Sequence, residues 1–66
     1  MNAKQVSILA KSAINAGYTI TNNPDQRIGY TMNFYIVSGP TGNHLNTYST
    51  EVQAKRFLAA FYRKVA

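Results

Sequence analysis

Sixty-six residues, with seven Lys and Arg against two acids, one His and no Cys, describe one small basic domain of net charge +5 and pI near 9.9. A chain of this size buries only about 60% of its unfolded surface, so its core is thin and its stability modest. The absence of Cys excludes a disulfide framework and a thiolate zinc site, and His44 with only Asp25 and Glu51 as carboxylates makes no metal set.

No apolar run approaches the ~20 residues that a membrane span needs, so no membrane association is expected. The segment from Met1 to Ile14 carries Lys4 and Lys11 but no Arg. Lys11 interrupts its apolar stretch, which argues against a secretory signal, the lack of Arg argues against a transit peptide, and a cytoplasmic location is the default expectation. The basic balance favours an anionic partner, with simple solubility as the bland alternative.

In chain order, Asn2 and Gln5 have the spacing of a capping box, opening a helix that Gly17 is placed to stop. Val6, Leu9, Ala10, Ala13 and Ile14 share one face of it, and Ile8 stands apart on the polar side. Tyr18 to Thr21 alternates and reads as a short strand. Asn22 to Arg27, centred on Pro24, reads as a turn-rich connection closed by Gly29. Tyr30 to Val37 is the clearest strand, with Tyr30, Met32, Phe34 and Ile36 on one face and Thr31, Asn33, Tyr35 and Val37 on the other. Gly39-Pro40-Thr41-Gly42 is a turn, after which His44 to Tyr48 returns as a third strand. Thr50 and Gln53 then mark the start of a helix whose Ala54, Phe57, Leu58, Phe61 and Val65 form an apolar stripe. Lys55, Arg56, Ala59 and Arg63 fall opposite that stripe.

The expected fold is therefore α+β, in the order α-β-β-β-α, with a three-stranded antiparallel sheet and both helices packed on one face. The simplest arrangement puts the helices over Tyr30, Met32, Phe34 and Ile36. The expected core is then Phe34, Phe57, Leu58, Phe61, Met32, Leu9 and Ala13, and Tyr35 and Tyr48 are left exposed.

Gly29-Tyr30 with the alternation to Ile36, a Gly-rich turn, and Leu45-x-Thr47-Tyr48-x-Thr50-Glu51-x-x-Ala54 resembles a known pattern. It is similar to the three-stranded-sheet-plus-helix DNA-binding domains of plant ethylene-response factors and tyrosine integrases. That resemblance covers about Tyr18 to Arg63 and implies an exposed sheet face that enters the DNA major groove. With its N-terminal helix, the element order also resembles double-stranded-RNA-binding domains.

Catalysis is not expected. Asp25 and Glu51 lie in a loop and a helix cap, His44 has no carboxylate to orient it, and the Gly-Pro turn lacks the Lys of a phosphate loop. No cofactor is expected either. The leading expectation is a small basic module that binds nucleic acid, DNA in preference to RNA. Lys55, Arg56, Arg63, Lys64 and Arg27 would contact phosphate, and Asn33, Tyr35, Asn46 and Tyr48 would form a polar and aromatic sheet face. The alternative is a protein-binding accessory or inhibitor, for example of a virus or mobile element, docking an acidic protein or using the same Tyr and Asn face. A dimer would help so small a core, but the sequence leaves the oligomeric state open.

Overall fold

The computed structural model describes every residue except Ile28, and Arg27 through its backbone alone. Helix α1 (Ala3–Asn15) is followed by strands β1 (Thr19–Arg27), β2 (Tyr30–Ser38) and β3 (His44–Tyr48), then helix α2 (Glu51–Val65). The strands form one antiparallel sheet in the order β1-β2-β3, as short connections require. Both helices lie on one face of it.

Each helix begins and ends where side-chain chemistry marks it. The Asn2 Oδ1 accepts the Gln5 N–H at 2.8 Å, and the Gln5 Oε1 accepts the Asn2 N–H at 3.3 Å, closing the capping box. At the other end the Gly17 N–H donates to the Ile14 carbonyl and the Tyr18 N–H to the Ala13 carbonyl. This Schellman pattern needs the φ of +105° that Gly17 adopts. Thr50 caps α2, its Oγ1 accepting the Gln53 N–H at 3.3 Å, with Glu51 in the first turn and Arg63 and Lys64 in the last.

Among the described residues, the fully buried hydrophobic ones are Ala13, Val37, Ala54, Leu58 and Ala59, with Ala10 nearly so. Tyr18, Ile20, Tyr35, Leu45, Tyr48, Phe57 and Tyr62 pack around them, partly buried. Four of the six innermost residues are Ala, so the helices approach closely while little apolar volume is enclosed. Ala59 corrects the sequence reading, which set it on the solvent side of α2. Helix α2 packs against α1 as well as the sheet, so more of its circumference is buried than one apolar stripe.

The larger correction concerns the sheet. Val37 is fully buried and Tyr35 packs with it under the helices, whereas Met32 is 40% and Tyr30 57% exposed. Because side chains alternate along a strand, Tyr30, Met32, Phe34 and Ile36 line the face away from the helices. Phe34 and Met32 therefore leave the expected core. Phe57, Phe61 and Leu9 are only half-buried, and Leu58 and Ala13 are central as expected. The junction into α2 decides this orientation. Only Ser49 and Thr50 separate Tyr48 from the helix, so its ring folds beneath α2 against Phe57. Tyr48 pairs with Tyr35, which fixes the inward face of the whole sheet.

Two irregularities shape the rest. Strand β1 is longer than expected, running on through Asn22 to Arg27 in place of the turn read there. It tolerates Pro24 because it is an edge strand, where a missing N–H costs no ladder bond. Strand β3 reaches only Tyr35 to Ser38 of β2, so Asn23 to Arg27 and Tyr30 to Phe34 project as a two-stranded ribbon. A bulge opposite Val37 and Ser38 inserts Leu45 as an extra residue and turns it toward the core. That rephasing also brings His44 and Thr47 onto one face, with the imidazole Nε2 2.8 Å from the Thr47 Oγ1. The molecule is a thin slab of 42 × 27 × 15 Å.

Candidate functional site

A file of aromatic rings sets the rotation of α2 on the sheet, and so decides which of its side chains face solvent. Tyr48 meets Phe57 at 5.7 Å between centroids, Phe57 meets Phe61 at 5.8 Å, and Phe61 meets Tyr18 edge-on at 6.0 Å. Tyr18 also meets Tyr62 edge-on at 5.8 Å. Each such pair contributes about 0.5–1.5 kcal/mol beyond its buried area, enough together to hold one helix orientation.

With that face held inward, Arg56, Arg63 and Lys64 are exposed on the outer side of α2. Arg56 and Arg63 stand seven residues apart, so they lie almost in line, separated by about 10 Å along the axis. No acid shares their surface. Lys55, expected to join them, is turned instead to Glu51, its Nζ 2.8 Å from the carboxylate Oε1 across one helical turn. Both groups are about half exposed, so the pair is weak as a stabilising contact. Its electrostatic consequence is larger, because Glu51 cancels Lys55 as seen by an approaching anion.

Arg63 and Lys64 also rim a shallow groove of about 530 Å³ whose floor is Met1, Phe57, Ala60 and Phe61. Cations beside half-buried aromatic edges suit a ligand that is both flat and anionic. Sequence reasoning reached the cations of α2 and missed this groove, since Phe57 and Phe61 read simply as core.

The net charge is sharply segregated. Lys4, Lys11, Lys55, Arg56, Arg63 and Lys64 lie in the helices with Glu51, while Asp25 and Arg27 offset each other within β1, so the whole +5 belongs to the helical layer. Lys4 and Lys11 are exposed on α1 and were absent from the expected site. The Arg27 side chain lies outside the described residues.

The expected sheet platform is not where the sequence reading put it. Tyr35 and Tyr48 are half-buried beneath the helices, and the Asn46 Nδ2 donates to the Tyr48 hydroxyl at 3.1 Å. Asn33 is exposed, but in the ribbon beyond β3 and on the same side as Tyr35. The four residues thus do not form one open surface. Comparison with protein-family models, curated proteins and solved structures gives no match. Among the described residues no group of three His, Cys, Asp or Glu is placed to hold a metal ion, and no helix is long and apolar enough to cross a membrane.

Proposed function

We propose that this protein is a small nucleic-acid-binding module that grips the phosphate backbone with the outer face of α2. The observation that carries the reading is the acid-free surface of Arg56, Arg63 and Lys64, in a layer that holds the whole net charge. Arg and Lys on a rigid helix engage phosphate with little reorganisation and release its condensed counterions, which makes binding favourable at low salt. Base discrimination is weak in this reading, because the centre of the open sheet face is the apolar row Tyr30, Met32, Phe34 and Ile36, which offers few hydrogen-bonding groups to base edges. The grip is therefore through the helix and not by insertion of the sheet into a groove. Its proposed setting is the cytoplasm.

The test is titration of labelled duplex and single-stranded oligonucleotides at several salt concentrations. Three phosphate contacts give a slope of log K against log salt of about −2.7 on duplex DNA, with little dependence on sequence. Four contacts, with Lys55 contributing fully, give about −3.6. Failure to bind either form at low salt overturns the proposal. Binding of an acidic protein but no oligonucleotide assigns the same cations to a protein partner.

A further inference from the structure

The open face of the sheet is the largest feature that phosphate binding does not use. Its centre is an unbroken apolar ladder along β2, Tyr30, Met32, Phe34 and Ile36. Thr21, Asn23 and Asp25 of β1 flank it on one side and Thr47 of β3 on the other, each paired across the ladder. Among the described residues nothing covers this ladder, since both helices sit on the opposite face. We propose that a second copy of this chain covers it, forming a two-fold dimer packed sheet to sheet.

Three observations select that occupant. The first is charge. A +5 chain repels its own copy unless the two meet through a neutral surface, and the helical layer carries the entire net charge while the sheet carries none. Packing sheet against sheet turns both positive layers outward and brings together two faces that hold none of the helical cations, with Asp25 beside Met32 as their described charged residue.

The second is the deficit in the core. Among the described residues, Leu58 and Val37 are the largest fully buried side chains. Small domains with so little enclosed volume make up stability with disulfides, a structural metal or association. This chain has no Cys, and its described residues hold no cluster of metal-binding side chains, which leaves association. A dimer would add Phe34, Ile36 and Met32 to the apolar volume removed from water.

The third is size and shape. A nine-residue strand is about 30 Å long, and with β1 along its whole length and β3 along its last four residues it offers a face on the order of 400 Å² per copy. Two such faces bury about 800 Å² in total, the size of a weak, concentration-dependent interface. An antiparallel sheet packs on another at about 10 Å with interdigitating side chains, and an isologous interface needs only one patch that complements itself. A linear apolar ladder with polar flanks meets that requirement.

The test is sedimentation equilibrium on the full chain, across protein concentrations up to about 1 mM (a millimolar Kd is the weak limit of association). The expected result is a species of twice the 7.3 kDa chain mass. Met32→Lys should dissociate it, while Val52→Lys, at an apolar residue 60% exposed on α2, should leave it intact. Because a charged variant could fail to fold, a second measurement uses the Cys-free background. Met32→Cys should be joined to a covalent dimer by a bismaleimide crosslinker of about 10 Å reach, each thiol adding to one maleimide, and Val52→Cys at the same concentration should not. A monomer throughout the range overturns the proposal and leaves the ladder to a heterologous protein. A dimer that Met32→Lys spares and Val52→Lys breaks also overturns it.

Discussion

Replacing Leu58 by Ala removes the side chain on which both layers converge. Leu58 is fully buried, in one cluster with Ala13 of α1, Val37 of β2 and Ala54 of its own helix. Losing the buried methine and two methyl groups costs about 2 kcal/mol at about 0.8 kcal/mol for each. A void on the order of 50 Å³ that cannot fully collapse adds about 1 kcal/mol. The total of about 3 kcal/mol is set against a stability of about 3–10 kcal/mol for a chain this long. Urea unfolding followed by far-ultraviolet circular dichroism measures the difference. With a slope near 1 kcal/mol per molar urea, the midpoint should fall by about 3 M or disappear. Val65→Ala is the control: it lies on the same stripe seven residues later but is 57% exposed, and should change stability by no more than about 0.5 kcal/mol. Protein concentration must be held fixed, since any self-association enters the midpoint. If Leu58→Ala and Val65→Ala shift the midpoint equally, the placement of α2 on the sheet is wrong.

Arg56→Ala with Arg63→Ala should lower duplex affinity about 200-fold at 50 mM salt and flatten the salt slope to about −0.9, with the melting temperature unchanged. Retention of the wild-type slope would falsify the assignment of those two cations. Lys55→Ala should alter the slope little unless Glu51 is replaced too, and a loss equal to that of Arg56→Ala would show that Glu51 does not mask it. Thr50→Ala removes the acceptor for the Gln53 N–H and should destabilise the fold by about 1 kcal/mol, read from the same urea curves. Gly17→Ala combines a strained φ of +105° with a new Cβ only 3.2 Å from Pro40, so it should cost more than the cap variant. A melting temperature above that of Thr50→Ala would argue against the helix end described.

The element order and both helix starts were legible because they depend on local chemistry: Asn2 with Gln5, Gly17, and Thr50 with Gln53 each act within a few residues. The inward face of the sheet was not. Along β2 both alternating sets contain large apolar or aromatic residues, and alternation divides a strand into two faces without saying which is covered. The deciding signal was the shortness of the Tyr48-Ser49-Thr50 junction, which commits Tyr48, and through it Tyr35 and Val37, to the helix side. Ala59 was misplaced for a different reason. A helix with two partners buries two flanks, and a single apolar stripe reports only one of them. Of the candidate site, Arg56, Arg63 and Lys64 could be read from periodicity because they are remote from the stripe. The Lys55–Glu51 pair was also within reach, as a spacing of four residues on a helix. The groove of Met1, Phe57 and Phe61 required the tertiary arrangement of α1 against α2.

That arrangement bears on how the chain is made. Helices α1 and α2 stand at opposite ends of the described chain, and the cluster that joins Ala13 to Ala54 spans about 40 residues, which a ribosome adds in about 2–8 s. Throughout that interval α1 has been synthesised and its apolar side has no partner, since the hairpin that follows pairs with itself. The β-meander closes in microseconds once its strands are available, but the core waits for α2. During synthesis the protein thus passes through a stage in which its first helix is an exposed amphipathic segment, open to chaperone capture until the last helix emerges.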